Sequence, residues 1–461
     1  METFEAVASL PHPAREVFDW HRRPGALTRL SPPWAMRVIA EASPPMATGA
    51  VARLRTVVPR TGGLGWVHFD ARHEAGPEPS SFIDRMVRGP FRLWEHTHLF
   101  READGCHVID RVNWLAPFGV PARMVEAQLP AIFEARTLRL RRELDHAADL
   151  TRRFPGQLRV LIAGASGLIG TQVAALFSTL GHQVRRLVRR APRDDEARWD
   201  PDRGELSPSD VAWADVVMHL GGATIGRRHT EYGKKLIRQS RIDSTRLLAD
   251  VIGQLSAQDR PDVFVCASAM GVYGAQRPGE ELSEDSPTGT GFLAEVCRAW
   301  EREAARVEEV GVRWVSIRSG VVLSTLGGTL PLQLPLFLAG LGGVLGNPAA
   351  HLPWISLDDV ARVYVRAALD PALSGPVNAV APTPATQGDY ASTLARLCRR
   401  PAWLPVPRLG PRLLLGSDGA KELAFADQLG LPTRLEAVGF NFTHPGLEDA
   451  LRETTGLGQL V

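Results

Sequence analysis

The sequence predicts two differently built parts: an α+β unit of short antiparallel strands closed by a long helix, then an α/β unit with a doubly wound parallel sheet. Three observations predict this. The glycine-rich run Gly164-Ala165-Ser166-Gly167-Leu168-Ile169-Gly170 lies between an apolar stretch and a helical pattern. From Leu158 onward, apolar runs of strand length alternate with helical periodicity, the mark of a parallel sheet covered by helices. Ahead of the polar stretch from Asp145 to Gln157, several short segments alternate apolar and polar residues, as half-buried antiparallel strands do.

Length and composition bound what the chain is. At 461 residues it exceeds one ordinary core, so more than one domain is expected. A hydrophobic fraction of 44% with 23% charged residues is that of a globular protein, and 53 basic against 51 acidic residues give no global field for nucleic acid. The four cysteines, Cys106, Cys266, Cys297 and Cys398, are scattered without a Cys-x-x-Cys pair or zinc-like His spacing. No metal site is therefore expected, and a reducing cytoplasm fits. The start, Met1-Glu2-Thr3-Phe4-Glu5, shows no secretory pattern. Ser319 to Leu357 lacks Asp, Glu, Lys and Arg, but Pro331, Pro335 and repeated glycines favour a pocket-lining segment or a buried interface over a bilayer span. Oligomerisation is left open.

In the first part, strands are expected at Thr3–Ser9, Ala50–Val58, Trp66–His73, Ser80–Arg88, Arg92–Arg101 and His107–Trp114. A helical stretch, Ala14–Leu30, comes early, and a long one, Pro121–Arg142, closes the unit. In the latter, Met124, Val125, Leu129, Ile132, Phe133, Leu138 and Leu140 form a stripe expected to pack on the sheet. The order of these elements resembles the helix-grip fold of the START and polyketide-cyclase-like (SRPBCC) superfamily, which implies an apolar-ligand space between sheet and closing helix. A closed core fits the same pattern. His96, His98, Asp110 and Arg111 are candidates to line such a space, although polar residues on a strand face are more often solvated. The expected boundaries are 1–148 for this unit, 149–157 for a linker and 158–461 for the second unit, whose substrate-side segment covers about 400–461.

In the second part, Arg159–Ile162 reads as a buried parallel strand, Thr171–Leu180 as a helix ended by Gly181, and Gln183–Val188 as the next strand. Further strands are expected at Val216–Leu220, Val263–Ala267 and Trp314–Ile317, with helices at Lys234–Gln254, Leu293–Glu309 and Leu357–Ala368. A sharp strand-to-helix turn needs backbone angles that a Cβ forbids, and a second glycine lets a diphosphate approach the main chain. The free N–H groups at the helix start then meet the negative charge. The glycine run therefore predicts a nucleotide pyrophosphate site. Cofactor choice belongs at the end of the second strand, where Arg189 stands 19 residues past Gly170 and is followed by Arg190. Guanidinium there pairs a 2′-phosphate, so NADP(H) is expected rather than NAD(H). The expected cofactor contacts are Gly164, Ser166, Gly167, Leu168, Ile169, Gly170, Arg189, Arg190, Leu220, Gly221, Gly222 and Ala223, with Trp199 and Asp200 near the adenine.

These elements, with Ser240-Arg241, Ser268-Ala269-Met270-Gly271-Val272-Tyr273-Gly274, Arg318-Ser319-Gly320, Trp354-Ile355-Ser356-Leu357-Asp358-Asp359, Pro405-Val406-Pro407 and Leu447-Glu448-Asp449, resemble the extended short-chain dehydrogenase/reductases. The resemblance is to their atypical NADP-binding epimerase-family subgroup, some members of which carry a preceding helix-grip domain. It implies a Rossmann-like fold and a Ser, Tyr and Lys for proton handling. Ser268 matches the serine. The positions expected for tyrosine and lysine hold Phe292 and Val296, and no Tyr-x-x-x-Lys occurs anywhere in the chain. Tyr273 with Arg277 keeps the spacing of four and is the substitute candidate, although Tyr273 also matches a non-catalytic Tyr-Gly. Catalytic candidates are therefore Ser268 and Tyr273.

Glu295, Cys297 and Glu301 are read as structural or solvated. Asp358-Asp359 are read as acids stabilising a helix start. Arg241 and Arg318 fit either an anionic substrate or internal salt bridges. Three functions are compatible with this reading: an NADP(H)-dependent oxidoreductase or epimerase acting on a small molecule, a non-catalytic nucleotide-responsive protein, or an apolar-ligand carrier.

Overall fold

The computed structural model describes residues 1–57, 65–402 and 406–458. Val58, the last residue of the strand expected at Ala50–Val58, and Pro405 lie outside them, as do residues 459–461. The chain forms two compact units: Met1–Gly156 with the short stretches 178–181 and 454–458, and Gln157–Phe177 with His182–Glu453. Among the described residues, no helix is long and apolar enough to cross a membrane.

In the first unit, β1 (Glu2–Leu10), β2 (Met36–Ala40), β3 (Val51–Val57), β4 (Trp66–Ala75), β5 (Ser81–Arg88), β6 (Leu93–Ala103) and β7 (Gly105–Leu115) build one antiparallel sheet in the order β1-β7-β6-β5-β4-β3-β2. β2 has no counterpart among the expected strands, because Met36 to Ala40 is short and shows no clean alternation. The early helix is two pieces, α1 (Ala14–His21) and α2 (Ala26–Leu30), because Pro24-Gly25 interrupts it and Gly25 takes φ +92°. The closing helix is likewise split into α3 (Ala122–Glu126) and α4 (Leu129–Arg153), with Pro130 in the first turn of α4. α4 runs to Arg153, so the segment expected to open a linker at 149 is helical. From α3 and α4, Val125, Leu129, Phe133, Leu140 and Leu144 are buried against the sheet, whereas Leu138 points outward at 40% exposure.

Between sheet and closing helix lies a cavity of about 320 Å³ lined by apolar groups, Phe69, Trp94 and Phe133 among them, with His96 and His98 on one wall. Asp110 is buried behind His96, while Arg111 turns to the opposite face and pairs with Glu5 of β1 at 2.8 Å.

In the second unit, β8 (Arg159–Ala163), α5 (Leu168–Thr179), β9 (Gln183–Val188), β10 (Glu196–Asp200), β11 (Glu205–Leu206), α6 (Pro208–Ala212), β12 (Val216–His219), α7 (Glu231–Gln254) and β13 (Val263–Ala269) follow in turn. Next come β14 (Gln276–Leu282), α8 (Phe292–Ala305), β15 (Arg313–Ser319), β16 (Val321–Leu323), α9 (Leu330–Leu338), β17 (His351–Leu352), β18 (Trp354–Ser356), α10 (Leu357–Leu369) and β19 (Gly375–Ala379). The main sheet has the order β11-β10-β9-β8-β12-β13-β15-β19. It is parallel except for β11, and the strand order reverses beside β8. Val160, Leu161, Ile162, Val216, Val217, Met218, Val263, Phe264 and Val265 are all at most 1% exposed, as strands covered on both faces require. β10, β11 and β19 were not expected: they are short or carry polar residues on an edge. Trp199 on β10 is packed into the core at 4% exposure, with its ring edge-on to His219.

Candidate nucleotide site and the polar network beside it

The carboxyl ends of β8 and β12 meet at the reversal of strand order, the position where open α/β sheets place ligands. Gly164 leaves β8 with φ +85°, and a Cβ there would lie 2.6 Å from the Gly221 nitrogen. A Cβ on Gly170 would collide with the Gly164 carbonyl oxygen. Both positions therefore require glycine. At Gly167 a Cβ would come to 3.3 Å from the same oxygen, a tight fit rather than a collision. Its amide closes the turn by donating to Gly164 O at 3.0 Å. α5 starts at Leu168, so the amides of its first turn have no partner within the helix. Ser166 and Gly167 are exposed at this turn, and Leu168 and Ile169 are half-buried.

The facing wall, Leu220 to Ala223, is fixed from below. Leu220 N donates to Ala163 O at 2.8 Å, and Ala223 N donates to Ser240 Oγ at 2.9 Å. His219 is fully buried, with Nε2 2.7 Å from Ser244 Oγ, and Gly221 N donates to its Nδ1 at 3.3 Å. Ser244 Oγ donates onward to Ser240 O, so the network assigns the proton to Nε2 and the lone pair to Nδ1. Burial, followed by the charges of Arg241 and Arg189, lowers the His219 pKa to about 3, so the imidazole is neutral. Arg241 donates through one terminal nitrogen to Ala223 O and Ile237 O, and has no ion-pair partner among the described residues. Sequence spacing had not singled out His219 as a support. Its signal was a polar residue ending a strand of otherwise buried apolar residues.

Arg189 and Arg190 follow β9, which pairs with β8 so that Leu187 stands beside Ala163. The two arginines therefore emerge next to the glycine turn, but they differ in state. Arg190 is held bidentately by Glu196, at 2.7 Å to Oε2. Arg189 is exposed and has no ion-pair partner among the described residues.

Ser268 and Tyr273 belong to a buried network. Ser268 Oγ donates to Glu301 Oε1 at 2.6 Å, and Arg318 donates to both Glu301 oxygens at 2.9 and 2.8 Å. Arg318 also donates to the Tyr273 phenol at 2.8 Å, and the same phenol oxygen lies 2.9 Å from Ser283 O and 2.8 Å from Asn378 Oδ1. Burial raises the Tyr273 pKa, and Arg318 offsets it only in part. The expected pairing of Tyr273 with Arg277 is corrected by this geometry. Arg277 reaches the Tyr273 carbonyl oxygen at 3.2 Å and Glu280 at 2.9 Å, and its partner for the phenol is Arg318 instead. Spacing of four aligns side chains on a helix, and Arg277 lies on a strand. Cys297 is buried, its thiol pushed up to about 12 by burial. Glu295 is exposed. Asp359 accepts the Ser356 hydroxyl and the amides of Thr443 and His444, a structural role.

At the start of α8, Phe292 and Leu293 donate their amides to the Glu422 carboxylate at 2.9 and 2.8 Å. The Phe292 ring is 5.7 Å from the His229 ring and 5.8 Å from Lys234 Nζ. His229 Nδ1 is buried without a hydrogen-bond partner among the described residues. His229 and Glu422 escaped sequence analysis because both approach Phe292 from distant segments.

Residues 160–379 match the model of the NAD dependent epimerase/dehydratase family, and residues 406–454 match a domain of unknown function, DUF1731. An epimerase family protein of Mycobacterium bovis is 37% identical over 298 residues, which is 64% of this chain and 97% of that protein. Among solved structures, the nucleoside-diphosphate sugar epimerase from Corynebacterium glutamicum matches with TM-score 0.80 and 32% identity, over 100% of this chain and 91% of that one. Human epimerase family protein SDR39U1, solved with NADPH, matches with TM-score 0.58 and 31% identity, over 65% of this chain and 99% of that one. With its glycine turn at the switch point of a parallel sheet and a relative covered almost end to end, the chain belongs to the epimerase family.

Proposed function

We propose that the second unit binds NADP(H), with the diphosphate on the turn of Gly164, Ser166, Gly167, Leu168, Ile169 and Gly170 and against Leu220 to Ala223. The single observation carrying this is the cradle itself: Gly164 and Gly170 admit no Cβ, and Gly164 lies against the backbone of Leu220 and Gly221. The exposed Arg189 supplies the charge for a 2′-phosphate, and the human relative was solved with NADPH. When bound, the nicotinamide supplies hydride donation or acceptance. Calorimetric titration of the full chain should show NADPH binding more tightly than NADH. No saturable NADPH binding would end the proposal.

A reaction of the oxidoreductase or epimerase type at this site needs a proton carrier. Ser268 and Tyr273 are held by Glu301, Arg318 and Asn378, and the phenol is buried with a raised pKa. That observation favours slow or undetectable carbonyl reduction, and with it the second reading of a nucleotide-responsive binding protein. Rapid turnover abolished by Tyr273→Phe in a variant of unchanged Tm would overturn it.

For the first unit, a seven-stranded antiparallel sheet with a long closing helix and an apolar cavity supports a helix-grip reading, with an apolar small molecule as ligand. Native mass spectrometry of freshly purified protein tests both parts together. A nucleotide and a separate apolar molecule are the expected species.

A further inference from the structure

The first unit carries a constellation that the nucleotide site does not use. His96 and His98 stand two residues apart on β6 and so share one face of the sheet. Cross-strand register places Asp84 of β5 opposite His96, Asp110 of β7 opposite His98, and His73 of β4 opposite Asp84. The two imidazole rings are 3.8 Å apart, with Phe82 stacked on His98 at 4.1 Å and Phe133 of α4 edge-on to His96 at 5.2 Å. His96 and His98 are 8% and 2% exposed, and their rings are clamped between neighbours on a rigid sheet.

We propose that Asp84, His96 and His98 bind one first-row divalent metal ion at the polar end of the cavity in the first unit. One donor atom from each of the three lies within 4.8 Å of the others. His98 Nε2 and Asp84 Oδ2, hydrogen-bonded here at 3.3 Å, are already at about the separation of two ligands each roughly 2.0 Å from a tetrahedral ion, which would replace the shared proton.

The surroundings are those of a ligand shell with outer support. Asp110 Oδ1 lies 2.8 Å from His96 Nε2 and 2.8 Å from His98 Nδ1, so one carboxylate holds the second nitrogen of both rings. Metal-bound imidazoles characteristically have such a partner, which sets ring orientation. His73 Nδ1 sits 2.5 Å from the other Asp84 oxygen, Oδ1, and so orients that carboxylate. Asp84 Oδ1, His73 Nδ1 and His98 Nδ1 are all buried. Asp110 is buried and Asp84 half-buried, and both carboxylates would attract a cation bound here.

Two imidazoles and one carboxylate suit zinc or ferrous iron rather than calcium or magnesium. Three protein ligands leave a coordination position open, as in reactive rather than purely structural sites. Asp84, His96 and His98 all line the cavity, whose other walls include Phe69 and Trp94. The fitting small molecule thus has an apolar body and one coordinating oxygen. Spacing in the sequence could not reveal this site, because its members come together only through the register of neighbouring strands.

The test uses the full-length chain, stripped with chelator and titrated with zinc, with metal content measured after dialysis. One zinc per chain is expected. Asp84→Asn and His96→Gln should each weaken binding at least about 100-fold, and Asp110→Asn about 10- to 100-fold. Absence of stoichiometric zinc in the wild type, or equal affinity in folded variants, would overturn the proposal. Should the variants fail to fold, zinc-edge X-ray absorption of the wild-type protein decides. A shell of two imidazoles with oxygen supports the site, and any shell without imidazole overturns it.

Discussion

The change Arg189→Asp tests the coenzyme proposal where its energetics are simplest. Arg189 is exposed beside the glycine turn and has no ion-pair partner among the described residues, so its removal breaks no salt bridge there. A hydrogen-bonded guanidinium–phosphate pair contributes about 1.5–3 kcal/mol, which converts to roughly a 10- to 150-fold change in Kd. Aspartate adds repulsion of the 2′-phosphate, so the upper half of that range is expected for NADPH, with NADH changed by less than about 3-fold. Arg190→Ala is the internal control. Its guanidinium is engaged by Glu196, whose side chain is only 5% exposed, so this change should lower Tm more than it alters coenzyme preference. Calorimetric titration with both coenzymes, alongside thermal unfolding, reads both effects. Equal NADPH affinity in wild type and Arg189→Asp, or a larger loss of preference in Arg190→Ala, would refute the reasoning.

Gly164→Ala puts a Cβ at φ +85° and 2.6 Å from Gly221 N. The left-handed backbone alone costs about 1–2 kcal/mol, so the urea midpoint should fall and NADPH binding should vanish, and an unchanged midpoint would contradict the turn geometry. Glu301→Gln leaves Arg318 buried with only part of its partner, at a cost of about 3–5 kcal/mol by urea unfolding, and a loss under about 1 kcal/mol would show the pair to be dispensable. His444 is 4% exposed. Burial opposes its charge, but Asp359 and Glu453 more than compensate, raising its pKa from 6.5 to about 9. The folded state therefore binds this proton more tightly than the unfolded state. The resulting stabilisation, on the order of 3 kcal/mol, is fully present below about pH 6.5 and lost as pH rises through about 9. The stability gap between wild type and His444→Gln should accordingly close between pH 6 and pH 9.5, and a gap independent of pH would rule out this linkage.

What the sequence made legible was local. The turn from β8 into α5, the bounds of β9 and the start of α10 all rest on residues within a few positions of one another. The apolar runs of β12, β13 and β15 were readable because a strand buried on both faces is continuous in sequence. What escaped depends on partners far along the chain. β14 pairs with residues 427–430, and its sequence, Gln-Arg-Pro-Gly-Glu-Glu-Leu, carries no strand pattern of its own. The partner of the Tyr273 phenol is Arg318, 45 residues on, whereas the one suggested by spacing was four residues on. In the first unit, His96 and His98 were visible as strand-face candidates. Their union with Asp84, His73 and Asp110 required the register of three strand pairs, and a slip of one residue in any pair would turn that strand's side chains to the other face.

The neutrality of His219 explains why phosphate recognition should fall on Arg189. Its imidazole accepts the Gly221 amide and bonds Ser244, while Ser240 of the same helix takes the Ala223 amide. These bonds turn two amides of the facing wall inward, so that wall offers shape more than charge. With a pKa near 3, the imidazole adds no positive charge at any ordinary pH. The wall is held in place before any ligand arrives, and the cost of ordering it falls on folding rather than on binding. Attraction for phosphate must then come from the amides at the start of α5, which suit the diphosphate common to both coenzymes, and from an unpaired cation nearby. Only the second distinguishes NADPH from NADH. Arg241 donates to Ala223 O and Ile237 O, and Arg190 is paired with Glu196, so of these three Arg189 is the one we propose makes that distinction.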